Sequence, residues 1–101
     1  MANYNAQITG LGSATINTVP AGTYYVKCTL TVPALQEGST SDSAVVTTIK
    51  LNGTTMYTSN PGDRGVDTVL ANCPANSIIL VTLTSTLASD ATRPRCTIAV
   101  G

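Results

Sequence analysis

The chain has 101 residues, 43% of them hydrophobic, which is enough for one domain with its own core and excludes a disordered tail. Only 10% are charged, five basic and five acidic, so the net charge is zero and nothing favours attraction to nucleic acid or an anionic membrane. Histidine, tryptophan and phenylalanine are absent, so the core must be Val, Ile and Leu with Tyr at its margins, and solubility must rest on Thr, Ser and Asn. A surface so poor in charge is more natural when partner subunits cover it.

The amino end, Met1-Ala2-Asn3-Tyr4-Asn5, has no basic or apolar region of a signal peptide, and no apolar run reaches the roughly 18–20 residues of a membrane-spanning helix. Residues 1–9 are polar with one aromatic, Tyr4, and admit two readings: an edge strand, or an extended arm that adds to a partner's sheet. A strand is expected over 5–10. Gly10-Leu11-Gly12-Ser13-Ala14 then reads as a turn; it is neither a nucleophile elbow nor a phosphate loop, and no histidine could activate the serine. Strand 13–19 ends at Pro20-Ala21-Gly22.

The run 22–32 carries the clearest alternation. Tyr24, Val26, Cys28, Leu30 and Val32 share one face, and Thr23, Tyr25, Lys27, Thr29 and Thr31 share the other, the pattern of a half-buried strand. Pro33 stops it, and 37–43 is a polar Gly- and Ser-containing loop. Strand 44–51 places Val45, Thr47, Ile49 and Leu51 together. Asn52-Gly53 then predicts a type I′ hairpin turn into strand 54–58. Pro61-Gly62 and Pro74-Ala75-Asn76 bracket strand 65–71. Strand 77–87 puts Ile79, Val81, Leu83, Ser85 and Leu87 on one face, and strand 94–100 does so with Cys96, Ile98 and Val100. About eight strands at this spacing predict an all-β sandwich or barrel.

Candidate sites are few. In Ser59-Asn60-Pro61-Gly62-Asp63-Arg64-Gly65-Val66-Asp67, two carboxylates flank an arginine. Calcium wants six to eight oxygens, so this is a poor metal site; turn chemistry or a partner-contact loop fits better. A two-carboxylate glycosidase would also need a cleft with sugar-binding aromatics, for which the chain lacks residues. Arg93-Pro94-Arg95 is a basic knuckle before the last strand, suited to a solvated turn or to an acidic partner. Among Tyr4, Tyr24, Tyr25 and Tyr57, a possible stacking platform, only Tyr25 is clearly on an outward phase. The odd cysteine count, Cys28, Cys73 and Cys96, argues against a secreted disulfide framework and for a reducing cytosol, with Cys28 and Cys96 as small core hydrophobes. No cofactor is expected, because no ligand set or cofactor loop is present.

Three stretches, VPAGTYYVKCTLTVP (19–33), VVTTIKLNGTTMYTS (45–59) and NCPANSIILVTLTST (72–86), resemble the small jelly-roll proteins of tailed-phage virions. The shared features are a strand opening after Pro-x-Gly, a central hairpin with Asn-Gly-Thr, and a long hydrophobic strand after a polar turn. The resemblance implies a single-domain jelly-roll β-sandwich of about eight antiparallel strands over residues 1–101. It further implies a non-enzymatic capsid decoration (cement) protein, made in the host cytoplasm, that forms a homotrimer and binds the major capsid protein on the virion surface. The alternative is a receptor- or carbohydrate-binding jelly roll of a tail or fibre. Tyr4, Asp63, Arg64, Asp67, Arg93 and Arg95 are the candidate partner contacts.

Overall fold

The structure is a computed structural model that describes residues 3–32 and 44–101. The strand-breaking role expected of Pro33 and the loop expected at 37–43 lie outside the described residues. Eight strands form: β1 (Tyr4–Thr9), β2 (Gly12–Val19), β3 (Gly22–Thr31), β4 (Val46–Leu51), β5 (Thr54–Thr58), β6 (Gly65–Cys73), β7 (Ser77–Thr84) and β8 (Arg95–Val100). They build two four-stranded antiparallel sheets, ordered β1-β8-β3-β6 and β2-β7-β4-β5. The chain changes sheet at every connection except the β4–β5 hairpin, which gives the wrapped order of a jelly roll.

The core lies between the sheets and follows the alternation. Val26, Cys28, Leu30 and Val32 from the β3 run, Val45 and Ile49 from the β4 run, Ile79, Val81 and Leu83 from β7, and Cys96, Ile98 and Val100 from β8 are all buried. Each such aliphatic side chain contributes about 1.5–3 kcal/mol on leaving water. The expected hairpin turn also forms. Asn52 and Gly53 take φ of 50° and 85°, the positive values that type I′ requires. Asn52 then bonds back to β7: its amide donates to the Ile78 carbonyl at 2.9 Å, and its side-chain Oδ1 accepts from the Ile78 amide at 2.8 Å.

Two segments differ from expectation. β7 stops at Thr84 rather than 87, because the Ser85 hydroxyl accepts from the Leu87 amide and donates to Asp90, and these local bonds replace the sheet ladder. Leu87, expected on the core face, is therefore exposed, and a 3-10 turn follows over Ala88–Asp90. β6 runs on to Cys73 past a positive-φ Asn72, whose amide bonds the Thr23 hydroxyl at a register shift. At the amino end, Tyr4–Thr9 is an edge strand paired with β8 in unbroken register from Tyr4↔Val100 to Thr9↔Arg95. Deleting residues 2–7 should accordingly lower the melting temperature by about 10 °C or more, read by circular dichroism, since most of this pairing is lost.

Cys28 and Cys96 are diagonal neighbours on the inner face, because Cys28 sits opposite Ile98 and Leu30 opposite Cys96. Both are free thiols in the core. A hydrogen bond to Cys96, together with burial, pushes the Cys28 thiol well above the usual thiol range. Native Cys28 should therefore resist thiol reagents until the protein unfolds, as timed labelling will read. Cys28→Ser should cost about 1–3 kcal/mol by placing a hydroxyl in this apolar layer. Cys73 stands apart, at the Gly22 end of β6, where its thiol donates to the Leu70 carbonyl.

Candidate binding surfaces

The strand directions sort the connections by end. The β1–β2 turn, the end of β3, the start of the β4 run and the β5–β6 and β7–β8 connections gather at one end; the β2–β3, β4–β5 and β6–β7 turns, the start of β1 and the end of β8 gather at the other. Of the eight charged residues described, Asp63, Arg64, Asp90, Arg93 and Arg95 stand at the first, or loop, end.

Backbone bonds tie the β1–β2 turn to the β7–β8 loop, and the β5–β6 loop to β3 and to the residue before β4. Gly10 and Leu11 in the β1–β2 turn donate to Pro94 and Ala91 in the β7–β8 loop, at 2.8 and 3.2 Å. Gly62 in the β5–β6 loop donates to Val45 at 3.0 Å, and Leu30 donates to the Arg64 carbonyl at 2.7 Å. Asp90 links the β7–β8 loop to the start of the β4 run. Its carboxylate is fully buried; Oδ1 accepts from Arg93 at 2.8 Å, and Oδ2 accepts from the Ala44 amide at 3.0 Å and from the Ser85 hydroxyl. Burial alone would raise its pKa, but the Ser85 and Ala44 bonds and the Arg93 charge outweigh that and hold it below the usual carboxylate range.

The sequence candidates divide accordingly. Asp63 closes its own turn: Oδ2 accepts from the Asn60 amide at 3.2 Å, and Gly62 supplies a φ of 87°. Arg93 pairs within the chain rather than outward. Arg95 folds over its own loop, with Nη1 donating to the carbonyls of Thr92, Arg93 and Pro94 at 2.9–3.1 Å. These side chains order the β5–β6 and β7–β8 loops from within. Tyr4 lies at the opposite end, edge-on to Tyr24 with ring centroids 6.3 Å apart, and the Tyr24 hydroxyl donates to the Pro20 carbonyl. Tyr57 is half-buried against the core, so the tyrosines form no common platform. Among the described residues no cluster of metal-ligating side chains occurs.

Asp67 belongs to a different surface, the outer face of β1-β8-β3-β6. It sits directly opposite Lys27, and beside them Tyr25 sits opposite Val69. These four side chains border a groove of about 340 Å³. A second groove of about 270 Å³ crosses the same face past Lys27, over Ala99, to Asn5 and Gln7. Asp90 and this Lys27–Asp67 juxtaposition are what sequence reasoning missed. The outward phases of Tyr25 and Lys27 were visible, but their β6 neighbours were not.

No family model matches the sequence, and a search of curated proteins returns no match. Among solved structures, the chain is similar to a family 35 carbohydrate binding module from Clostridium thermocellum, with 13% identity and a TM-score of 0.50 over 97% of this chain and 90% of that one. It is also similar to PliG, a periplasmic inhibitor of g-type lysozyme from Aeromonas hydrophila, with 15% identity and a TM-score of 0.47 over 99% and 83% of the two chains. At these identities the likeness to the binding module is one of fold, a β-sandwich.

Proposed function

We propose that this chain is a structural virion protein, a capsid decoration module that self-associates as a trimer and clamps neighbouring subunits of the major capsid protein without doing chemistry. The observation that carries this reading is the loop end. The β1–β2, β5–β6 and β7–β8 connections, held to one another and to the neighbouring strand ends by backbone bonds and by Asp90, present a preformed tip on an otherwise charge-poor sandwich. A tip ordered in advance loses little conformational entropy on docking. That suits a protein whose task is adhesion to a large, regular surface, and it agrees with the virion jelly rolls that the sequence resembles.

The outer face of β2-β7-β4-β5 is the wall assigned to self-contact. Val46, Ile78 and Leu80 lie on it among threonines and serine, and Lys50 is its one charge among the described strand residues. A stable trimer should bury more than about 1,000 Å² per interface. Sedimentation at micromolar concentration should give three times the 10.3 kDa chain mass; a monomer contradicts the trimer. Co-sedimentation with purified heads tests the docking: the protein should pellet with heads and stay in solution without them.

A second reading is a receptor- or carbohydrate-binding module of a tail or fibre. The specific observation in its favour is the groove beside Tyr25, which is 66% exposed next to an exposed Val69. The sandwich fold shared with a carbohydrate binding module is compatible with it.

A further inference from the structure

We infer that the outer face of β1-β8-β3-β6 carries a saccharide subsite centred on Tyr25, Lys27 and Asp67, a proposal that rests on the second reading above. Three observations converge on it. First, the register sets two unlike pairs side by side: Tyr25 against Val69, and Lys27 against Asp67. The first pair offers an exposed aromatic ring with an aliphatic neighbour; the second offers a cation and an anion. Second, Lys27 and Asp67 make no ion pair or side-chain hydrogen bond with each other or with any other described residue. Their donors and acceptors are unspent, although they face each other across neighbouring strands. Third, the groove they border, about 340 Å³, falls in the size range of small-ligand sites.

The charge balance selects the ligand. Lys27 and Asp67 sum to zero, so the site complements a neutral molecule that carries a donor and an acceptor on adjacent atoms. A vicinal diol does so: one hydroxyl donates to the Asp67 carboxylate while its neighbour accepts from the Lys27 ammonium. The apolar face of a pyranose ring then lies over Tyr25, as planar and ring-shaped ligands do on exposed aromatics. The second groove, over Ala99 toward Asn5 and Gln7, continues the site for another sugar unit, since a methyl floor leaves room and amides offer further hydrogen bonds. A second protein copy is a poorer occupant. Protein interfaces exclude charge from their centres, and Lys27 stands between the two grooves.

The test is a titration of the ¹⁵N-labelled full chain, followed by amide chemical shifts, with cellotriose, maltotriose, mannotriose and chitotriose each at about 10 mM, where a millimolar site is nearly filled. At least one trisaccharide should shift amides of Tyr25, Lys27, Asp67 and Ala99. Tyr25→Ala and Asp67→Asn, both exposed positions, should each weaken that binding about tenfold or more, and Tyr25→Phe should keep it within about twofold. Shifts confined to the loop end overturn this subsite while leaving saccharide binding standing. No shift with any of the four sugars overturns both. Binding unchanged by Tyr25→Ala and Asp67→Asn also overturns the subsite.

Discussion

Replacing Asp90 with alanine should destabilise the protein by about 3–5 kcal/mol, measured by urea unfolding, the cost typical of removing one partner of a buried ion pair. The carboxylate is fully buried and receives Arg93, the Ser85 hydroxyl and the Ala44 amide. Its loss removes the Asp90 carboxylate from Arg93, whose side chain is only 10% exposed. It also leaves a backbone amide and a hydroxyl without their acceptor. Asp90→Asn should cost less, because an amide oxygen can still accept from Ser85 or Ala44. The same site predicts acid lability. The folded pKa of Asp90 lies below its ordinary value, so its stabilising contribution is complete above about pH 4 and is lost as pH falls through the lower, folded value. Unfolding free energies measured against pH should show that loss in the parent chain and not in Asp90→Asn.

Gly10→Ala should destabilise by about 2–4 kcal/mol, through two independent causes. Gly10 has φ of +74°, which costs a side-chain-bearing residue about 1–2 kcal/mol. A Cβ there would also stand 2.9 Å from the Ala91 carbonyl oxygen, a backbone atom that cannot move aside cheaply. Gly53→Ala provides the control. Its φ is +85°, yet nothing lies within 4 Å of an added Cβ, so it should lose only the conformational part. A larger loss at Gly53 than at Gly10 contradicts the tight packing of the β1–β2 turn on the β7–β8 loop.

Much of the sandwich was legible because period two is a strong signal when Val, Ile and Leu alternate with Thr. The β3 run shows this best: its inner face from Val26 to Val32 is buried as the alternation dictates. Asn52-Gly53 was legible for a conformational reason, the need for positive φ at both turn positions. Asp90 was not legible. It sits in Leu87-Ala88-Ser89-Asp90-Ala91-Thr92, which has the composition of a solvated loop, and its burial depends on donors that arrive from Ala44, Ser85 and Arg93. Ser85 and Leu87 continued an apolar phase on paper, but a serine that can bond its own loop ends a strand early. The amino end left two readings open, because Asn5, Ala6 and Gln7 say nothing about a partner strand that begins at Arg95. The Lys27–Asp67 pair was hidden for the same reason: which strand lies beside β3 is a property of the wrapped topology, and no local pattern encodes it.

Cryo-electron microscopy of purified phage heads incubated with the protein tests the central claim most directly. The account predicts added density at symmetry-related junctions between capsomers, in trimeric units of this sandwich, with the loop end that holds Asp63, Asp90 and Arg95 turned toward the shell. Heads that remain bare under saturating protein, or density found only on tails or fibres, would contradict it.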